Sequence, residues 1–205
     1  MILFDRSVAH GVRQPVGNRR TVRVVAAIAT AELFPTLGVP AELGRAFVAE
    51  EDVPGGEPVA VISHRLWRSA FGGDPSIVGR GIELNGTLGT LVGVMPEGFD
   101  VEEAGVDVWT PAAIGGNPTN RGSHFLNLVG RLAPGVTLEQ ARSEMEILLG
   151  SWSDIAPNTH VPNDSTHAIV VKSLREEVVG GVRPALLILL GAVGPRAADR
   201  LRERR

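Results

Sequence analysis

Residues 34–99, with their turn glycines, strand runs and one amphipathic helix, constrain the fold more tightly than any other part of the chain. PVAVI, at 58–62, is an apolar, β-branched strand run. Ser63 follows as a helix N-cap, and HRLWRSAF places Leu66, Trp67, Ala70 and Phe71 on one helical face. Gly72-Gly73 ends that helix. RGIELNGTLGTLVGV then reads as two strand arms joined at Asn85-Gly86, the dipeptide that best suits a two-residue hairpin turn, where both residues need positive φ. A strand, a helix and a hairpin within forty residues exclude an all-helical bundle and a simple all-β sandwich.

The flanking segments extend this mixed pattern. TVRVVAAIAT, 21–30, predicts a mostly buried strand, and a short helix over 31–37 is stopped by Gly38. Residues 41–57 read as loop. VDVWTP, 106–111, is another short strand, and 114–123 a loop between lobes. HFLNLVGRL, 124–132, alternates as a strand, with Leu126, Leu128 and Leu132 of one parity. Thr137 and Gln140 make a capping box for the helical segment TLEQARSEMEILLGSW, where Leu138, Ala141, Met145 and Leu148 fall on one stripe and Glu139, Arg142, Ser143 and Glu146 face outward. AIVVKSL, 168–174, is the expected last strand, completing a β-α-β unit with HFLNLVGRL. Residues 1–19 have no sustained period and read as a poorly ordered lead-in. Hairpin and alternating order together imply an α+β architecture.

Composition excludes several function classes. The 205 residues carry a formal net charge of -3, so there is no electrostatic footprint for nucleic acid. There is no cysteine, which removes disulfides, thiolate catalysis and sulfur-ligated zinc. Lys172 is the only lysine and lies in a predicted strand, so no phosphate-loop lysine exists. Gly72, Gly73 and Gly79 follow a helix and lack dinucleotide-binding spacing; they read as turn glycines. The opening MILFDRSVAHGVRQPVGNRRTV has too short an apolar stretch for a signal peptide. ALLILLGAVG, 185–194, is too short to span a bilayer by itself.

The candidate chemistry is sparse. Ser63 lies between strand and helix but lacks the flanking glycines of a nucleophile elbow, and adjacency to His64 does not supply a base. Among His10, His64, His124, His160 and His167 there is no HExxH pattern. His160 and His167 flank a loop with Asp164, which would make a loose metal site only if the three converged. Glu50, Glu51 and Asp52 are an acidic run, read as a solvated edge or turn with a cation contact as the alternative. Trp67, Phe71 and Trp109 read as core anchors rather than a ligand patch. No catalytic, cofactor or metal residue is assigned.

Taken in order, FPTLGVPAELGRAF, EEDVPGGEPVAVISHRLWRSAFGGDPSIVGR, IELNGTLGTLVGVMPEGF, VDVWTP, NRGSHFLNLVGRLAPGVTLEQARSEM and REEVVGGVRPALLILLGAVG resemble the MacB-like periplasmic core domain of FtsX-type permeases of ABC transporters, over roughly residues 20–194. The resemblance implies a two-lobed domain over 20–183. One lobe, of β-α-β type, is built from 21–37 plus 124–178, and a mixed, β-rich lobe is inserted over 41–113. It places the domain between two transmembrane helices of a permease, on the extracytoplasmic face of the cell membrane. It implies no active site, ATP hydrolysis residing in a separate ATPase. The expected partners are the permease helices, that ATPase, a periplasmic protein and a second copy in a homodimer. Residues 184–194 resemble the start of a truncated second membrane helix, and 195–205 form an Arg-rich tail. The rival readings are a free-standing soluble interaction module and a small hydrolase using Ser63 or the His160–His167 loop.

Overall fold

The computed structural model describes residues 2–13, 22–101, 105–115, 127–151 and 170–176. In chain order the elements are strands β1 (Ile2–Arg13) and β2 (Val22–Ala29), helix α1 (Leu33–Leu37), strands β3 (Leu43–Gly44) and β4 (Val59–Ile62), and helix α2 (His64–Phe71). A 3-10 turn at Pro75–Ile77 precedes β5 (Gly81–Leu84) and β6 (Thr87–Val94), followed by β7 (Val108–Pro111), β8 (Asn127–Val129) and helix α3 (Leu138–Gly150).

All eight described strands belong to one mixed sheet, in the order β2-β7-β4-β6-β5-β1-β8, with β3 on β6. β1 also pairs with β2, so six strands form a closed circuit of pairings. β2·β7 and β4·β6 are parallel; the other pairs are antiparallel. β2 and β7 are neighbours across a long stretch of sequence, with Ala26 opposite Val108 and Ala29 opposite Pro111.

At β4 the sheet is buried on both faces, which is why that strand is apolar throughout rather than alternating. Successive side chains of a strand point to opposite faces. Ala27, Ala29, Val59, Val61, Val92 and Trp109 therefore join one apolar layer with Phe34, Phe47 and Met95. Val24, Ala26, Ala60, Ile62, Leu91 and Val108 join the other, against Leu66, Trp67 and Phe71 of α2. Trp109, Trp67 and Phe71 are thus core residues, but of two different layers. In the first layer Phe34 sits edge-on to Phe47 at 5.6 Å and to Trp109 at 6.1 Å between ring centroids. Such T-shaped contacts add to the gain from burial.

Local signals translate directly. The Ser63 hydroxyl accepts the Leu66 amide at 3.1 Å, and Gly72 closes α2 with φ 65°. Asn85 and Gly86 take φ 51° and 83° at the β5–β6 turn. Thr137 and Gln140 complete their capping box at 3.2 and 2.8 Å.

Three expectations are corrected. The lead-in expected over 1–19 contains β1, paired with β2 from Phe4 opposite Ala29 to Val12 opposite Val22. A register shift between Ser7 and His10 interrupts its alternation, which is why no strand period is visible in the sequence. The strand expected over AIVVKSL is absent from its described part: 170–173 have no regular structure and 174–176 are helical. Residues 168–169 lie outside the described residues. The Val171 carbonyl accepts the Arg142 guanidinium at 3.0 Å instead of a strand partner. β8 pairs with the start of β1, so the expected β-α-β unit does not form among the described residues. On α3, Leu138, Ala141 and Met145 are half-buried as expected, but Leu149 continues the stripe while Leu148 is exposed. α3 has no fully buried residue.

Trp109 is 1% exposed and touches both Phe34 and Phe99. Trp109→Ala is expected to cost about 3–5 kcal/mol of unfolding free energy. Urea denaturation checks this through the midpoint at unchanged slope.

Candidate functional site

The N-terminal turns of α2 face residues 96–100 and 105–106 across an open cleft of about 800 Å³. Ser63, His64, Arg65 and Arg68 line one side; Glu97, Phe99 and Asp100 line the other. Behind Ser63 and Arg65, and not itself lining the cleft, lies Asp107, 9% exposed. One carboxylate oxygen of Asp107 accepts the Arg65 Nε and Nη2 at 3.2 and 2.7 Å and the Ser63 hydroxyl at 3.5 Å. The other accepts the Val25 amide at 3.1 Å. Its backbone is equally committed: its amide donates to the Val25 carbonyl at 2.8 Å, and its carbonyl accepts the Ser63 amide at 2.8 Å. Arg65 also donates to the Gly105 carbonyl at 2.9 Å.

This arrangement decides the role of Ser63. Its hydroxyl caps α2 and points to Asp107, the residue is 5% exposed, and no histidine lies between hydroxyl and carboxylate. A triad needs a base bridging the nucleophile and the orienting carboxylate. His64, the sequence neighbour, instead lies 3.9 Å from Glu42 and edge-on to the Trp67 ring. Ser63 and Asp107 therefore lock the junction of β2, β4 and α2. The cleft holds cations and carboxylates in roughly equal number and presents no concentrated charge of one sign.

The acidic run at 50–52 lies in a turn, one of its two expected readings, but it is not a solvated edge. The Glu51 side chain is 10% exposed and takes a two-pronged contact from Arg45, at 2.6 and 2.9 Å, plus the Val48 amide at 2.9 Å. The Arg45 contact, helped by the Val48 amide and opposed by burial, holds the Glu51 carboxyl below the usual carboxylate range. Asp52 accepts the amides of Ala31 and Ala113 at 2.9 and 2.8 Å. Only Glu50 is exposed. Neither Asp52 nor Asp107 was legible as a hub, because each binds backbone amides remote in sequence and no side-chain spacing encodes that. Among the described residues no group of three His, Asp or Glu side chains is placed to hold a metal ion. His124, His160, Asp164 and His167 lie outside the described residues, as do 177–205.

With this topology in view, comparison with known proteins becomes informative. Residues 5–148 match the family described as the MacB-like periplasmic core domain. The chain belongs to that family. The match starts inside β1 and ends within α3, two residues short of its end, so it runs from the first of these strands to the last of these helices. A domain of a protein described as a permease, from Porphyromonas gingivalis, superposes with a TM-score of 0.55 at 16% identity, over 86% of this chain and 81% of that one. The periplasmic region of MacB from Actinobacillus actinomycetemcomitans gives 0.53 at 13% identity, over 77% and 76%. The extracellular domain of the noncanonic ABC-type transporter YknZ from Gram-positive bacteria gives 0.42 at 16% identity, and this chain spans about half of it, 53%. A comparison with curated proteins finds no match. As a MacB-like domain the chain has the mixed α+β fold expected from its sequence. No helix among the described residues is long and apolar enough to cross a membrane.

Two predictions follow from this geometry. Asp107→Ala strands the Val25 amide and is expected to cost about 2 kcal/mol, whereas Arg65→Ala, removing a side chain that is 65% exposed, costs less than about 1 kcal/mol. Chemical denaturation of the two variants checks that order.

The second concerns pH. A carboxyl whose folded pKa is lowered stabilises the fold above its unfolded pKa and loses that contribution as pH falls through the folded value. The Glu51 contribution, about 0.5–1 kcal/mol because Arg45 is half-exposed, should therefore be complete above the ordinary Glu pKa of about 4.3 and be lost as pH falls from there through the lower folded value. The drop in urea midpoint on acidification should be smaller in Glu51→Gln than in the parent.

Proposed function

We propose that this chain is the non-catalytic extracytoplasmic domain of an ABC transporter permease, coupling ATP-driven motion to the handling of a substrate or partner outside the membrane. The observation that carries this reading is the match to the MacB-like periplasmic core domain family over residues 5–148, supported by a mixed sheet that superposes on the MacB periplasmic region at a TM-score of 0.53. The site geometry favours it as well. The polar side chains best placed for chemistry, Ser63 and Asp107, are saturated by helix capping and backbone contacts. A sheet whose central strand is buried on both faces, with its long-range strand junctions tied by side chains, suits a body that passes on displacement rather than one that turns over a substrate.

In this reading the domain spans 20–183, with one lobe from 21–37 plus 124–178 and an inserted lobe over 41–113. It sits on the extracytoplasmic face and works with permease helices and a separate ATPase. β1 adds an N-terminal strand to that plan.

The test is topological and biochemical together. A protease-cleavable tag inserted at the exposed Asn85–Gly86 turn should be removed by protease added to intact cells of the native host, its outer membrane permeabilised if it has one. The tagged chain should co-purify with an ABC ATPase from detergent-solubilised membranes. Cleavage only after lysis, with recovery of the chain alone from the soluble fraction, would overturn the proposal.

A further inference from the structure

The segment 44–52, GRAFVAEED, folds as a strap across the sheet. It leaves β3 at the edge of β6, where the Arg45 amide donates to the Val92 carbonyl at 2.9 Å. Gly93 is required there, since a side chain on it would run into the Arg45 carbonyl. Phe47, 5% exposed, pins the strap to the Phe34–Trp109 layer. The Arg45–Glu51 fork closes the strap on itself, with the Val48 amide on the same carboxylate. This shape delivers Asp52 to the far end of the β2·β7 pair.

There the last ladder bond runs from the Ala112 amide to the Ala29 carbonyl, 2.9 Å. Beyond it the two chains diverge, and Asp52 spans the gap. One carboxylate oxygen takes the amide of Ala31, just past β2; the other takes that of Ala113, just past β7. Ala113 has φ 48°, a left-handed conformation that costs a non-glycine residue and persists only where its surroundings enforce it. The opposite end of the same strand pair is tied by Asp107, with Arg65 and Ser63 behind it. The two ends are therefore unequal: one rests on a braced junction, the other on a carboxylate at the tip of a surface strap, holding a strained residue.

We propose that Asp52 is the catch of a strap that holds the β2·β7 seam shut at its Ala29–Pro111 end, and that this seam opens from that end when the catch releases. Release lets Ala113 relax to an ordinary φ and frees the segment after β7 from β2, while the Asp107 end stays closed. The inference does not depend on the transport reading, since it concerns how one parallel strand pair is held.

Site-resolved amide hydrogen exchange on the full chain tests it. The decisive amide is that of Ala112, which bonds Ala29 and never touches Asp52. In Asp52→Ala it should exchange about tenfold faster or more, the scale of a lost charge-assisted bond, while the Val25 and Asp107 amides keep their protection. Asp52→Asn retains one acceptor oxygen and should give a smaller, similarly local effect, and it serves if the alanine variant does not fold. Glu51→Gln should loosen the same amide, and exposed Glu50→Gln should not. Faster exchange at Ala31 and Ala113 with Ala112 unchanged would reduce Asp52 to two isolated bonds and overturn the catch. Equal acceleration across the sheet would overturn it as well, leaving only a contribution to global stability.

Discussion

The Asp107 carboxylate is the interaction on which most of this structure depends. It is nearly buried, and it gathers a β2 amide, a helix-capping serine and an arginine of α2. A carboxylate removed from water must have its lone pairs satisfied, or the fold loses free energy. Here the partners that satisfy it belong to β2, the β4–α2 junction and α2. Meeting that electrostatic requirement therefore also fixes where β7 lies relative to β2 and where α2 starts. It thereby ties the start of the parallel β2·β7 pair.

Around that hub the energy comes from ordinary sources. Two apolar layers cover the sheet, one closed by α1 and the strap with Phe34 and Phe47, the other by α2 with Trp67 and Phe71. The 127–151 segment reaches the first of them through Val129, a half-buried residue of β8. β8 offers three residues to the start of β1, and α3 has no fully buried residue. One link described there is Arg131, whose guanidinium forks onto the Thr36 carbonyl at 3.1 and 2.7 Å. That carbonyl sits in the last turn of α1, where helix geometry leaves acceptors without helical donors. Among the described residues, then, the deeply buried side chains lie in the sheet, α1, α2 and their loops, and α3 contributes none.

The legible parts of the sequence were those whose causes are local. Ser63 caps α2 because its hydroxyl reaches an amide three residues on, and Asn85-Gly86 turns because its two residues tolerate positive φ. Thr137 and Gln140 box α3 within four residues. The misread parts had remote causes. β1 is a strand because β2 lies beside it, and its register shift erased the period that would have announced it. AIVVKSL has the composition of a strand, but the Val171 carbonyl is taken by Arg142. The Glu51-Asp52 pair looked like solvent-facing charge, because nothing near it in sequence shows that Arg45 will fold back onto Glu51 or that Ala31 and Ala113 will converge on Asp52.

The sequence by itself determined the mixed α+β class, the positions of α1, α2, the β5–β6 hairpin and α3, and the resemblance to MacB-like core domains, since each rests on side-chain pattern and turn chemistry within a short window. Tertiary structure alone decided which strands meet, which carboxylates are structural, and where the fold is braced. Those outcomes rest on backbone amides brought together from 21, 61 and 82 residues apart. A backbone amide is the same at every position, so no residue pattern could reveal which of them a carboxylate would hold.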